Sequence, residues 1–323
     1  MNRDDIVLTE TAFTFTNDAQ KQLIGIIHSP TASQVDSSHK ENHLNSKQDS
    51  TKKTAGQNPE QDHGKVGLLI IVGGPQYRIG SHRQYVHLAR HCAARGIPVM
   101  RFDYQGIGDS DGIYPGFEHT RGDIHCAIDV FLDRTPDIDT VAIWGLCEGA
   151  SGILLGGAEH KAISHIILAN SWVRSEAGLA KAYVKHYYID RLKSPEFWRK
   201  IFSGHLNIKA AISGFLANIK QAFAPKKSAL EEKLPKKDQR SFQERMCAGL
   251  NDFHGKILLI MSGNDLVARE FDDLITTDKA WKKVIREKSP SRLDIPDTDH
   301  TFSTSKWRDQ VAKGTADWLL SAQ

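Results

Sequence analysis

The chain has 323 residues, a formal charge of +3, 40% hydrophobic and 25% charged residues. That is enough to bury a sizeable core in one large domain, or in a core with an appendage. The small charge, with no long basic block interleaved with aromatics, argues against nucleic acid as a partner.

The first residues, MNRDDIVLTETAFTF, lack the apolar run and small-residue cleavage site of a secretory signal. The longest apolar stretches, such as Val66 to Val72, fall far short of the roughly 20 residues a membrane span needs, so no stable membrane insertion is expected. Cys92, Cys126, Cys147 and Cys247 show no metal-ligand spacing and read as reduced thiols. The expectation is a cytoplasmic protein without a metal or organic cofactor; the oligomeric state is left open.

Phe13–Phe15 and Leu23–Ile27 read as an antiparallel hairpin. From Thr31 to Gly64 large apolar residues almost vanish, and Ser, Gln, Lys and Asn dominate. Such a tract cannot bury enough surface to offset its ordering entropy, which predicts a disordered polar insertion. Apolar runs of strand length follow at Val66–Val72, Val99–Phe102, Val141–Trp144, Ile163–Leu168 and Ile257–Met261. Helical stretches at Arg83–Arg95, Gly116–Arg134 and Glu148–His160 separate the first four. Continuous apolar strands alternating with helices predict an α/β fold with a mostly parallel sheet covered on both faces.

The alternation stops between Trp172 and about Asn251, where aromatic and basic residues at helical spacing replace strands. It resumes with a helix near Glu270–Ile285, a strand near Ser291–Ile295 and a closing helix over Ser305–Ser321. The expected organisation is a core of residues 1–171 and 251–323, with a helical cap of residues 172–250 inserted after the sixth core strand. Such a cap would sit over the carboxyl ends of the strands, where open α/β sheets bind ligands.

Chemistry concentrates in Gly145-Leu146-Cys147-Glu148-Gly149. An apolar strand enters it and a helix leaves it, the context of a nucleophile on a sharp turn that tolerates only small neighbours. The residue there is ordinarily Ser; a Cys thiolate is chemically suited. Cys92 and Cys126, in helical patterns, and Cys247, in the insertion, read as packing residues. Gly108-Asp109-Ser110-Asp111-Gly112 matches the serine version of the pattern, yet no helix starts at Ser110, which therefore reads as a turn residue.

An acid and a histidine follow in the required chain order. Asp265 lies on the loop after Ile257–Met261, and His300 on the loop before the last helix. His300 is the expected base and Asp265 its orienting acid, with Asp297 and Asp299 as nearby competitors for that role. Backbone N–H donors for an oxyanion are expected from Glu148 and from Gly74 in Gly73-Gly74-Pro75-Gln76, with Gln76 in reserve because Pro75 has no N–H. Gln76, Arg174 and His186 are candidate substrate contacts. Arg174, Lys181, Lys185, His186 and Arg191 could bind an anionic group, although a solvated helical face with aromatics packing inward is the plainer explanation.

The constellation resembles the α/β-hydrolase superfamily over nearly all of the chain except the polar tract. More narrowly, GGPQYRIGSHRQ (73–84), RFDYQGIGDSDG (101–112), WGLCEGAS (144–151), NSWVRSEAGLAKAYVKHYY (170–188) and SGNDLVAREF (262–271) are similar to the first type of exosortase A system-associated hydrolases. Members of that family accompany exopolysaccharide and protein-sorting gene sets, and its pattern GLCxxA places Cys at position 147. The long polar tract departs from the compact family form. The resemblance implies fold and biological setting and no substrate; the expected function is hydrolysis of an ester or thioester by Cys147, His300 and Asp265, on a small-molecule or carrier-linked acyl substrate. Acyl transfer by the same Cys, or an inactive fold retained for binding or scaffolding, are the alternatives.

Overall fold

A computed structural model describes residues 7–31, 65–74, 76–174 and 240–322. The expected polar insertion beyond Thr31, and nearly all of the expected cap, lie outside the described residues. The chain divides into two units, one of Met1–Trp172 with Ser241–Gln323 and one of Val173–Arg240.

The larger unit is built on one eight-stranded sheet in the order β1-β2-β4-β3-β5-β6-β7-β8. Strands β1 (Val7–Thr16) and β2 (Gln22–Thr31) form an antiparallel hairpin, longer than the apolar residues alone suggest. Backbone pairing carries it through alternating Thr and Glu positions that periodicity underweights. Strand β2 also runs antiparallel to β4 (Val99–Phe102). The other pairs are parallel and join β4, β3 (Val66–Ile71), β5 (Thr140–Leu146), β6 (Ile163–Ala169), β7 (Lys256–Ser262) and β8 (Ser291–Ile295). Strands β3 and β4 are buried along their whole length, and β5 to β7 nearly so, which is why they read as unbroken apolar runs.

Helices α1 (Gln84–Ala93), α2 (Arg121–Arg134) and α3 (Glu148–Leu154) follow β3, β4 and β5. Helix α4 (Phe242–Asp252) falls almost wholly in the stretch expected as helical cap, residues 172–250, and groups with the larger unit. A reciprocal capping box between Ser241 and Glu244 starts it, worth about 1 kcal/mol. The single helix expected near Glu270–Ile285 is two, α5 (Leu266–Thr277) and α6 (Lys279–Lys288). Asp278 leaves the helical region (ψ 135°) and its carboxylate caps α6 through the N–H groups of Ala280 and Trp281. Helix α7 (Ser305–Ser321) closes the unit. Among the described residues no helix is long and apolar enough to cross a membrane.

Strand β3 lies between β4 and β5, so the chain leaves it first to one side and then to the other. At such a switch point loops diverge and leave a crevice at the strands' carboxyl ends. The loops after β3 and β5 meet there.

Candidate active site

Cys147 joins β5 to α3 with φ 58° and ψ −124°. A non-glycine residue in that region carries strain of about 1–3 kcal/mol and persists only where its surroundings fix it. Here they do. The Cys147 N–H donates to the Ala169 carbonyl (2.9 Å), and the Cys147 carbonyl accepts from the N–H groups of Ser151 (3.1 Å) and Trp172 (3.3 Å). The Ser151 hydroxyl adds a bond of 2.6 Å to the Trp172 carbonyl. The turn also demands close backbone approach. A Cβ on Gly149 would stand 2.8 Å from the Ile71 carbonyl oxygen, and one on Gly73 only 2.2 Å from that of Leu146.

Asp265 ends the loop after β7 and is the N-cap of α5, accepting the N–H groups of Val267 and Ala268, both at 3.1 Å. Those bonds fix a nearly buried carboxylate whose Oδ2 also lies 2.7 Å from Nδ1 of His300. An ionised carboxylate only accepts, so Nδ1 carries the hydrogen and Nε2 is left for another partner. The Cys147 side chain lies close enough to the imidazole to act on its titration. Burial lowers the His300 pKa, but the Asp265 bond and the charges of Asp265 and Cys147 outweigh it and carry the ring up to about 10. Three loops thus bring Asp265 into hydrogen bond with His300, and Cys147 close to the same ring.

Asp299 does not compete for the imidazole. Its carboxylate accepts from the N–H groups of Thr301 (3.2 Å) and Ser303 (3.0 Å) and from the Ser303 hydroxyl, shaping the loop that presents His300. Asp297 is exposed.

Two residues that hold this loop escaped sequence reasoning. Buried Asn170, after β6, donates from Nδ2 to the Ser262 hydroxyl (2.8 Å) and to the His300 carbonyl (3.1 Å), while its Oδ1 accepts the Ser262 N–H (2.9 Å). The Ser262 hydroxyl donates onward to the Asp299 carbonyl (3.0 Å). An Asn directly after an apolar strand is the signal that could have found it. Tyr85 of α1 is a third such residue: its buried phenol meets the backbone of Gly73 and lies near Cys147, and burial holds its pKa well above the ordinary tyrosine range.

The N–H of Glu148 falls in the first turn of α3, where backbone donors have no intrahelical acceptor. In the loop after β3, Gly74 lies by the Glu148 carboxyl, a Cβ there falling 3.8 Å from Oε2. Burial raises that carboxyl's pKa. The Gln76 side chain is turned elsewhere, with Oε1 accepting from the Ser81 N–H (3.4 Å) and Gln84 Nε2 (3.5 Å).

Ser110 is a turn residue, its hydroxyl accepting the Ile24 N–H (3.0 Å) and donating to the Asp103 carbonyl (3.0 Å). All four cysteines are free. Burial pushes Cys92 up to about 12, Cys126 to about 11, and Cys247 up as well. Arg174 falls in the smaller unit, and Lys181, Lys185, His186, Arg191 and Pro75 lie outside the described residues. Among the described residues no group of three His, Cys, Asp or Glu is placed to hold a metal ion.

Comparison with known proteins places this geometry. Residues 67–210 match a hydrolase family model described as serine aminopeptidase, S33. An esterase from Pyrococcus furiosus is similar in structure, with TM-score 0.57 and 12% identity over 98% of this chain and 91% of that one. So are mouse alpha/beta hydrolase domain-containing protein 10 (TM-score 0.51, 14% identity, 97% and 100% covered) and a hypothetical protein from Pseudomonas aeruginosa (TM-score 0.53, 14% identity, 99% and 95% covered). Comparison with curated protein sequences gave no match. The strand order, the turn at Cys147 and these likenesses agree: the chain has the α/β-hydrolase fold, and over residues 67–210 it matches a hydrolase family.

Proposed function

We propose that this chain hydrolyses carboxylic ester or thioester bonds through an acyl-enzyme on Cys147. The observation that carries the reading is Cys147 on the strained turn after β5, close to an imidazole that Asp265 holds through its Nδ1. His300, its pKa carried up to about 10, already holds the proton given up by the thiol, and the Cys147 thiolate attacks the acyl carbonyl to form a new C–S bond. The oxyanion accepts the N–H of Glu148, joined by that of Gly74. As the intermediate collapses, the bond to the leaving oxygen or sulfur breaks and His300 returns the proton to it. Water, deprotonated by the same imidazole, then attacks the acyl thioester and restores the thiol. Asp265 fixes the tautomer throughout and stabilises the imidazolium.

The hydrolase family match supports this over a binding or scaffolding role. The esterase named for the Pyrococcus neighbour fits an ester substrate, and the four free thiols fit a cytoplasmic setting. The exopolysaccharide and exosortase setting implied by the resemblance makes a carrier-linked acyl group a natural candidate. A helical cap within residues 172–250 and any contacts from Arg174 and His186 belong to the same proposal.

The test is pre-steady-state turnover of matched p-nitrophenyl esters and aryl thioesters by the full chain. A burst approaching one leaving group per chain, absent in Cys147→Ala, is expected. Equal turnover by Cys147→Ala contradicts the reading. Product analysis with an added alcohol or amine separates free acid from transfer product.

A further inference from the structure

Arg101 and Asp103 flank Phe102 at the carboxyl end of β4, and both are buried. The pleat of a strand sends such alternate side chains to one side, and here both reach Arg78 in the loop after β3. Asp103 accepts the Arg78 N–H through Oδ1 (2.5 Å) and the Arg78 guanidinium through Oδ2. Nη1 of Arg101 donates to the Arg78 carbonyl (2.5 Å). One loop residue is thus gripped by its N–H, its carbonyl and its side chain at once. The grip is braced on both sides. Nε of Arg101 donates to Nε2 of buried His28 on β2 (2.9 Å), and the exposed Asp109 accepts from Nη2 of Arg78 (2.7 Å).

Buried charges are costly unless hydrogen bonds offset the lost water. Burial raises the Asp103 pKa and carries that of Arg101 down to about 10. What these two charges fix is the course of the loop that supplies Gly74. At its start Gly73 passes under the turn at Cys147, where a Cβ would stand 2.2 Å from the Leu146 carbonyl oxygen and 2.7 Å from the Gly149 nitrogen. Further along, Arg78 is clamped to the end of β4. Gly74 lies between these anchors at φ 59°, a setting that glycine adopts without strain. A backbone donor serves an oxyanion only while it points at the place where charge develops, and a misplacement of about 1 Å can cost a large part of the rate.

We propose that Arg101 and Asp103 are positioning residues for the oxyanion site: by clamping Arg78 they hold the Gly74 N–H where it meets the charge formed when Cys147 attacks. The proposal rests on the reading of Cys147 as nucleophile and Gly74 as donor, and extends it to residues that act through the loop. It separates two reactions of one sulfur atom. Acylation passes through an oxyanion and needs the clamp. Alkylation by iodoacetamide forms a C–S bond as iodide leaves, builds no oxyanion, and does not need it.

The experiment measures both reactions at Cys147 in the full chain, with adducts assigned by peptide mass. Acylation by p-nitrophenyl acetate is followed as the burst of p-nitrophenolate against ester concentration, and alkylation by iodoacetamide as intact mass. In Arg101→Met and Asp103→Asn the maximal acylation rate should fall about tenfold or more, while the half-saturating ester concentration and the alkylation rate stay within about twofold of the unmodified chain. Melting curves show which variants fold. Arg78→Ala removes only the partly exposed guanidinium from the clamp; it should show the same split, and it decides the matter where a buried variant does not fold. Arg78→Lys, which keeps a cation for Asp103, should restore most of the acylation rate. Unchanged acylation in the folded variants, or acylation and alkylation slowed alike, overturns the proposal and leaves the nucleophile standing. Failure of the unmodified chain to become acylated at Cys147 overturns the nucleophile and the proposal together.

Discussion

Oδ2 of Asp265 lies 2.7 Å from Nδ1 of His300, and the same carboxylate caps α5 through Val267 and Ala268. One side chain thus orients the imidazole and starts a helix, and substitution can separate the two tasks. Asp265→Asn keeps a good capping residue but invites the wrong tautomer. It should lower acylation of Cys147 by about 10³–10⁴-fold with a stability loss under about 1 kcal/mol. Asp265→Ala should lose the cap as well, costing a further ~1–2 kcal/mol in urea unfolding.

Asn170, after β6, makes two hydrogen bonds to Ser262 of β7 and one to the His300 carbonyl while itself buried with φ 44°. Asn170→Ala leaves the Ser262 N–H and the His300 carbonyl without their partner. A loss of about 2–4 kcal/mol in denaturant unfolding is expected, together with slower acylation as the imidazole loses its anchor. A stability change within ~0.5 kcal/mol would show that this network is not what holds the loop.

Gly73 is where the loop after β3 crosses the turn after β5. Its added methyl would meet backbone atoms, the Leu146 oxygen at 2.2 Å and the Gly149 nitrogen at 2.7 Å, rather than a side chain able to move. Gly73→Ala should therefore destabilise by about 1–3 kcal/mol or more. Gly122→Ala serves as control: Gly122 lies in α2 with nothing within 4 Å of the added methyl, and the change should be neutral or stabilising by up to about 1 kcal/mol.

The pH dependence of stability has a definite sign at His300. Its folded pKa, about 10, lies above the ordinary imidazole value of 6.5. Protonation therefore favours the folded chain, fully so below 6.5, and that contribution disappears as pH rises through about 10. His300→Gln lacks it. The stability difference between the unmodified chain and the variant should shrink between those two pH values in urea titrations, and a difference that grows would reverse the assignment.

Much of this was legible in the sequence, for physical reasons. Strands β3 to β7 are buried on both faces, so burial is written into their composition. Cys147 was legible because a strained turn between strand and helix needs small neighbours, and His300 and Asp265 because each follows a strand's carboxyl end. Asn170 and Ser262 stand 92 positions apart, and no local pattern connects them. The break at Asp278 was masked because polar and apolar residues keep helical spacing across it. That Gly74 lies by the Glu148 carboxyl depends on where a side chain points after two loops meet, which spacing cannot supply.

The central claim concerns one sulfur atom and the ring beside it. Incubating the full chain with an activated ester and mapping the adduct by peptide mass tests it most directly, because burial keeps the other three thiols protonated. The account predicts acyl mass on Cys147, none in Cys147→Ala, and at least about 10²-fold slower labelling in His300→Ala. An adduct spread over Cys92, Cys126 and Cys247, or labelling of Cys147 at an unchanged rate without the imidazole, would contradict it.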